Sequence, residues 1–308
     1  MKLKNKVAYY IIAVSGGPDS MCLLNKYKHR DICVCHVNYL KRESSNRDEE
    51  IVRNYCLKNN IKLEVLRVSE EMYRDYKKMY GNNFECVARN IRYDFFITNL
   101  KKYNAKYILV GHNYNDHLET AYSMMEKKSK ALYYGIMQVS GRKDTIILRP
   151  IMNMYKADTE KYCKKHNVPY GIDETNFDPK YTRNRIRQMM SNWTKKELKK
   201  FKSKIKFYNF RKILLRKAVN KCANKWIKTN YSQAFFQSKI KPKLLEHICY
   251  WILSECQAHI AITHDKILLL IDFIKNNTNS TKMLRIGEGV FVRILNKCVN
   301  YYYDHESK

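Results

Sequence analysis

The stretch that decides the fold reads VAYYIIAVSGGPDS, from Val7 to Ser20. Its first eight residues form an apolar run, which predicts a buried β-strand over Val7–Val14. Two adjacent glycines follow, in a chain that has only nine, and Pro18 stands at a position suited to the first turn of a helix. We therefore expect a strand, a tight glycine turn and a helix over Asp19–Tyr27.

The glycine turn has the chemistry of an anion cradle. Glycines let the backbone approach a ligand closely, and a helix start offers unpaired N–H groups and the positive end of its dipole. The two serines add hydroxyl donors. A nucleotide phosphate site is predicted at Ser15, Gly16, Gly17, Pro18, Asp19 and Ser20. An ordinary strand-to-helix turn is the alternative, because Gly-Gly-Pro-Asp also suits one.

Beyond the turn, short apolar runs alternate with amphipathic stretches. Further buried strands are predicted at Ile32–Val37, Ile61–Val68, Tyr107–Val110 and Thr145–Leu148. Helices are predicted at Asn46–Asn59, Phe84–Tyr103, Asp116–Lys128 and Lys156–His166. This alternation indicates an α/β fold with a parallel sheet and helices on both faces. Ligands of such sheets bind beyond the carboxyl ends of the strands.

The pattern changes in the second half of the chain. Pro169–Arg187 is polar and is expected to be a loop, whereas residues 194–276 show lysine-rich helical periodicity without a convincing strand. Residues 282–302 return to a strand-like pattern. We predict one domain over residues 1–190 and a second, mainly helical domain with a strand-like tail over residues 191–308.

The chain is strongly basic. Its 308 residues include 59 Lys and Arg against 29 Asp and Glu, a net charge of +30. Such an excess fits a nucleic-acid partner, although an A/T-rich genome would also enrich lysine. None of the ten cysteines forms a Cys-x-x-Cys pair, and the apolar run at Val7–Val14 is too short to span a membrane. Reduced thiols, a cytoplasmic location and no membrane partner are therefore expected.

The ordered motifs of residues 11–187 resemble those of the PP-loop ATP pyrophosphatases, which cleave ATP between the α- and β-phosphates, and within them the tRNA(Ile)-lysidine synthase family. After the phosphate turn, the resemblance is carried by His36, Asn38, Arg42, Ser45, Arg47, Asp48 and Glu49, then Glu85, Ala88, Arg89, Arg92 and Tyr93. It continues with Gly111, His112, Asp116, Glu119, Thr120, Arg149 and Pro150, and ends with Asp173, Asn176, Asp178, Tyr181, Arg183, Asn184, Arg185, Ile186 and Arg187.

The resemblance implies that residues 1–190 form an ATP-binding catalytic domain of the adenine nucleotide α-hydrolase-like type and that residues 191–308 bind tRNA. It also implies ATP as substrate, and Mg²⁺. It implies ligation of free lysine to C2 of the wobble cytidine of tRNA(Ile) with a CAU anticodon, through an adenylate, with release of pyrophosphate and AMP. The side-chain amine of free lysine has a pKa of about 10.4, so few of these amines are neutral at pH 7. A carboxylate pocket that binds the ammonium group and accepts its proton would answer this need.

Asp116 and Glu119, three residues apart on one helical face, are the candidates for lysine or Mg²⁺ binding. An acidic first turn that complements the helix dipole is the alternative. Asp19 is a second candidate for Mg²⁺, or only an early helix residue. His36 and Asn38 stand where the family holds adenosine, although His36 could equally be a buried histidine satisfied by the backbone.

Arginines supply the remaining candidates. Arg89 and Arg92 suit the developing phosphate charge or the tRNA backbone, with surface ion pairs as the alternative. Arg183, Arg185 and Arg187 suit RNA phosphates, with ion pairs between domains as the alternative.

Two segments of the chain depart from the family pattern. Where the family usually has His-His-x-Asp-Asp, this chain has His112-Asn113-Tyr114-Asn115-Asp116, and Glu126-Lys-Lys-Ser129 replaces the usual Arg-Gly-Ser-Gly.

The aromatic residues of the C-terminal region are expected to be core residues more often than base-stacking platforms. They are Trp226, Phe235, Phe236, Tyr250 and Trp251.

Two rival functions stay open at this point. One is another PP-loop tRNA-modifying enzyme such as a thiolase, which the lack of a Cys-x-x-Cys pair disfavours. The other is a non-catalytic RNA-binding module that keeps the fold. The sequence leaves open whether the protein forms a homodimer.

Overall fold

A computed structural model describes residues 9–41, 44–142, 145–172, 182–255, 262–287 and 290–303. Its strands are β1 (Tyr10–Ala13), β2 (Ile32–Asn38), β3 (Lys62–Arg67), β4 (Tyr107–Val110), β5 (Val139–Arg142), β6 (Thr145–Leu148), β7 (Met283–Gly287), β8 (Val290–Leu295) and β9 (Cys298–Tyr303). Its helices are α1 (Pro18–Tyr27), α2 (Ser44–Lys58), α3 (Glu70–Tyr80), α4 (Phe84–Lys102), α5 (Tyr114–Glu126), α6 (Lys156–Lys165), α7 (Thr182–Ser191), α8 (Lys195–Lys228), α9 (Gln233–Lys239), α10 (Pro242–Glu255) and α11 (His264–Asn276).

The first sheet has the order β3-β2-β1-β4-β6-β5. Every neighbouring pair is parallel except β5 and β6, which are antiparallel. The central strand β1 is buried because its side chains feed two cores, Ile12 on one face and Ile11 on the other. The five predicted strands and the α/β fold class are confirmed, and β5 adds an antiparallel edge strand that the sequence did not predict.

The chain forms two compact units. The first comprises residues 1–73, 91–123 and 135–194, and the second comprises residues 74–90, 124–134 and 195–308. The prediction had placed residues 74–90 and 124–134 within the first 190 residues. They group with the second unit because apolar side chains such as Tyr80 and Leu132 pack against its core.

The second unit is mainly helical and ends in a three-stranded antiparallel sheet, β7-β8-β9. Trp226 and Phe236 are fully buried in its core, and Phe235, Tyr250 and Trp251 pack against that core. The expectation that these five aromatics are core residues is therefore confirmed.

Two further sequence predictions need correction or completion. The predicted loop over Pro169–Arg187 is wrong from Thr182 onward, where α7 begins. Its basic residues alternate with Asn184 and Ile186, whose burial holds the helix in place. Helix α3 was not predicted, and none of its eleven residues is fully buried.

No helix in the described ranges is long and apolar enough to cross a membrane. The structure describes nine cysteines, and six of them are buried.

Candidate active site

The candidate site lies where the strand order of the first sheet reverses, between β1 and β4. Strand β1 pairs with β2 on one side and β4 on the other, so the loops after β1 and β4 meet at the same edge. They are in close contact: a Cβ added to Gly111, just after β4, would lie 3.1 Å from Cα and N of Ser20. The glycine turn and the start of α5 are thereby brought together.

The phosphate turn is held by its two serines. The hydroxyl of Ser20 accepts the Ser15 backbone N–H at 3.1 Å and donates to the Gly17 carbonyl at 3.0 Å. Ser20 is buried and closes the turn from inside, whereas Ser15 is exposed. No side chain caps Gly17 at the start of α1, and Pro18 occupies the first turn. The N–H groups of this helix start therefore remain directed to an incoming anion.

Gly16 is required by both its conformation and its neighbour. Its φ is +94°, and an added Cβ would lie 2.9 Å from Cβ and 3.1 Å from the carbonyl oxygen of Asp48. The Gly16 carbonyl accepts the Gly171 N–H at 2.9 Å. Asp48 and Gly171 therefore support the turn from behind, and only glycine fits at position 16.

Asp19 lies in the first turn of α1 beside the start of α5. Its Oδ1 accepts the hydroxyl of Thr159, a fully buried residue of α6, at 2.5 Å. Burial raises the pKa of Asp19, hydrogen bonds from Thr159 and Asn113 oppose that rise, and the charge of Asp116 adds to it. Two carboxylates from separate helices thus act on each other beside the phosphate turn.

Asn113 and Asp116 form a reciprocal cap at the start of α5. The Asp116 N–H donates to Asn113 Oδ1 at 3.1 Å, and the Asn113 N–H donates to Asp116 Oδ2 at 2.9 Å. This is the helix-start role that was the alternative for Asp116. The second carboxylate oxygen, Oδ1, is hydrogen-bonded by the Arg183 guanidinium. One carboxylate therefore both caps α5 and pairs with α7.

Glu119, one turn further along α5, has a buried carboxylate, with its side chain 4% exposed. Arg183 Nε donates to its Oε2 at 2.9 Å, and Arg187 Nε donates to its Oε1 at 3.1 Å. Because Arg183 and Arg187 are four residues apart, they share one face of α7. Two carboxylates and two guanidinium groups thus form one charge-balanced cluster, which we call the acidic–arginine cluster.

His36 lies near the end of β2 and contacts the backbone that leads into the phosphate turn. Its Nδ1 lies 2.9 Å from the Val14 carbonyl oxygen, so Nδ1 carries the proton. Nε2 is buried and has no hydrogen-bond partner among the described residues. Burial lowers the pKa of His36, which keeps the ring neutral with a lone pair on Nε2. The backbone-satisfied alternative accounts for only one of its two nitrogens.

The Asn38 side chain is hydrogen-bonded to other groups of the protein. Its amide nitrogen donates to Glu49 Oε2 at 2.9 Å and to Asn46 Oδ1 at 3.0 Å, and its oxygen accepts the Leu40 N–H. Glu49 also accepts hydrogen bonds from Arg53 and Arg67. Burial by itself raises the pKa of Glu49, but the hydrogen bonds from Arg67, Asn38 and Arg53 outweigh it and lower the pKa to about 2.

The remaining predicted residues are less closely tied to the phosphate turn. The Arg92 guanidinium lies 6.0 Å from the ring centre of Tyr39, just beyond β2. Arg89 belongs to the second compact unit, and its predicted role stays a prediction. Arg185 is exposed on α7. Five motif residues lie outside the described part of the chain: Arg42, Asp173, Asn176, Asp178 and Tyr181.

Sequence reasoning missed the coupling between His112 and Arg149. Arg149 is 5% exposed, and its Nε donates to His112 Nδ1 at 3.0 Å. A second group of the same guanidinium donates to the Met137 carbonyl and the Ser140 hydroxyl, both at 2.9 Å. Because arginine only donates, His112 must accept at Nδ1 and carry its proton on Nε2. Both residues were in the motifs, but only the fold shows them as a pair.

Comparison with known proteins completes the description. Residues 2–193 match the family model described as the PP-loop domain. The tRNA(Ile)-lysidine synthase of Malacoplasma penetrans is 42% identical over 295 residues, which cover 95% of this chain and 98% of that protein. The tRNA(Ile)-lysidine synthase of Ureaplasma parvum is 38% identical over 285 residues, covering 92% and 84%.

Among solved structures, the U34-tRNA thiolase NcsA from Methanococcus maripaludis, with its [4Fe-4S] cluster, aligns with a TM-score of 0.51 at 15% identity. It covers 68% of this chain and 74% of that one. At this identity the likeness concerns the fold alone.

Proposed function

The chain belongs to the tRNA(Ile)-lysidine synthase family of PP-loop enzymes, and from that premise we propose how its residues share the reaction. The protein is an ATP-dependent ligase that forms lysidine in tRNA(Ile). The contact between Gly111 and Ser20 carries the proposal, because it joins the phosphate turn to the helix that bears Asp116 and Glu119.

ATP binds with its phosphates on the turn from Ser15 to Ser20. The C2 oxygen of the wobble cytidine in a CAU anticodon attacks the α-phosphorus, the bond to the β-phosphate breaks, and pyrophosphate leaves. The N–H groups at the start of α1 stabilise the negative charge that develops on the phosphates. His36 supports this placement, since its unpartnered Nε2 is an acceptor for a hydroxyl or amine of the nucleoside. Asn38 holds Glu49 and the following loop in position rather than contacting the nucleotide.

Mg²⁺ is the expected companion of ATP, and the residues present fit it. Mg²⁺ in nucleotide sites usually takes one or two carboxylates together with phosphate oxygens. Asp19 and Asp116 are two carboxylates close enough that the charge of one raises the pKa of the other. They would hold the ion, which would neutralise phosphate charge when bound.

The acidic–arginine cluster is the proposed lysine site. Arg183 and Arg187 form ion pairs with Glu119 in a buried position, where an unpaired carboxylate would be costly. The lysine ammonium group competes with the half-exposed Arg183 for Asp116 and Glu119, and one of these carboxylates accepts its proton before the amine attacks C2. Arg183 and Arg187 therefore act on carboxylates in this arrangement, and Arg185, which is exposed, is the candidate for RNA phosphates.

The direct test is an assay of the purified protein with ATP, Mg²⁺, lysine and a tRNA(Ile) transcript bearing a CAU anticodon. We expect pyrophosphate, AMP and covalently bound lysine in equal amounts. A protein that ignores lysine and transfers sulfur or ammonia instead would overturn the proposal in favour of another PP-loop tRNA-modifying enzyme. A cytoplasmic reaction and a homodimer remain expectations.

A further inference from the structure

The long helix α8 has an exposed apolar stripe that the second unit does not use for its core. Phe207, Phe210 and Leu214 are 57%, 71% and 77% exposed, although they are large apolar side chains. Their spacing of three and four residues places them on one face of the helix. The core-facing side is separate, with Val219, Ala223 and Trp226 buried.

Basic residues surround the stripe. Helix α8 contains fourteen lysines and arginines and one acidic residue, Glu197. At 3.6 residues per turn, exposed lysines continue the face of the stripe in both directions, at Lys196 and Lys200 before it and at Lys221 and Lys225 after it. The Arg211 guanidinium lies 5.6 Å from the ring centre of Phe207. Aromatic rings are thus set within a row of cations.

We propose that this face of α8 is an RNA-docking surface, on which unpaired bases stack against Phe207 and Phe210 while the flanking lysines contact phosphates. The inference rests on the proposed function for the choice of tRNA as the RNA. Base stacking on aromatic side chains beside cationic groups is the usual way that proteins hold unpaired nucleotides. From Lys200 to Lys221 the face is about 30 Å long, enough for several phosphates.

Charge favours RNA over a second copy of the chain. Two copies meeting at this stripe would bring two rows of lysines together, because the same cations flank it on each copy. Such like charges repel, whereas a polyanion releases its counterions on the same surface. Electrostatic repulsion would therefore oppose a dimer formed through α8.

The test measures the affinity of the full-length protein for a tRNA(Ile) transcript at fixed salt. Replacing both Phe207 and Phe210 with alanine should weaken binding roughly 5- to 100-fold. Leu269→Ala is the matched control, since Leu269 is 55% exposed on α11 and should leave affinity unchanged. Circular dichroism of each variant shows that the fold is kept, as expected for side chains so exposed.

Two single variants separate stacking from simple apolar contact. Phe210→Trp should retain affinity because it keeps an aromatic face, whereas Phe210→Leu should lose it although it remains apolar. Equal affinity for wild type, Phe210→Leu and the double alanine variant would overturn the inference. So would a change from dimer to monomer in sedimentation that accounts for the whole loss of affinity.

The outcome is independent of the proposed chemistry. The double alanine variant should raise KM for tRNA and leave kcat for lysine incorporation unchanged at saturating tRNA. Failure of the wild-type protein to incorporate lysine would count against the proposed function, whereas intact tRNA binding by the double variant would count against the docking surface.

Discussion

Arg183 Nε lies 2.9 Å from Glu119 Oε2, and this contact joins a helix of the sheet domain to a basic segment 64 residues further along the chain. This contact changes how the roles of both residues are interpreted. The arginine pairs with a carboxylate, and the buried carboxylate has a guanidinium partner. The proposed lysine site therefore already contains paired charges before any substrate binds.

Glu119 should be needed for the lysine step more than for use of ATP. Glu119→Gln removes one of the two carboxylates proposed to bind the ammonium group and to accept its proton, so kcat/KM for lysine should fall by roughly 100-fold or more. Pyrophosphate release in a single turnover with tRNA should fall much less. Glu126→Gln, at the exposed end of the same helix, is the control. A parallel loss of both activities would show that Glu119 acts earlier or only structurally.

Gly16 and Gly17 should respond differently to alanine, although they are neighbours. Gly16→Ala should destabilise the protein by about 1–3 kcal/mol, because φ is +94° and the new Cβ would meet Asp48. At Gly17 the backbone is extended and the Cβ would lie 3.7 Å from Ser15 Oγ, so Gly17→Ala should be nearly neutral. Urea unfolding measures both. Equal destabilisation would contradict the described geometry of the turn.

Asp19 should lower the stability of the protein at neutral pH but be needed for its activity. Burial raises the pKa of Asp19 in the folded state, so the ionised carboxylate lowers the stability of the fold. This loss of stability is present at neutral pH and disappears as pH falls below the ordinary pKa of an aspartate, about 4. Asp19→Asn should therefore raise the free energy of unfolding at pH 7 while it reduces ATP-dependent pyrophosphate release. Asp75→Asn, on an exposed residue of α3, should change neither. A less stable Asp19→Asn protein at pH 7 would refute this reasoning.

Glu49 should behave in the opposite way. Its pKa is lowered to about 2, so its contribution to stability is present above its ordinary pKa of 4.5 and is lost as pH falls toward 2. Glu49→Gln should cost roughly 2 kcal/mol at pH 7, after allowance for the solvent exposure of Arg53 and Arg67, and much less near pH 2. The adjacent Glu50→Gln is the control. Urea midpoints at several pH values give the comparison, and a cost that does not change with pH would contradict the ion-pair account.

Much of the catalytic unit was predictable because its signals are local. The glycine turn, the five predicted strands and the helices that alternate with them follow from apolar periodicity and from the stereochemistry of Gly16 and Pro18. Strand β5 was missed because its Val-Ser-Gly-Arg sequence has no apolar alternation. Helix α7 was read as a loop because the breakers before it masked the apolar position at Ile186.

By itself, the sequence determined the sheet, the phosphate turn and the identity of the carboxylates, since these depend on residue type and short-range spacing. Only the tertiary structure decided which charges meet. Arg187 and Glu119 are 68 residues apart, and Thr159 reaches Asp19 across 140. Partners at such separations are selected by how helices pack on the sheet, and no local pattern records that choice. The exposed stripe at Phe207 and Phe210 has the same origin, because apolar spacing does not say which face of a helix the core will cover.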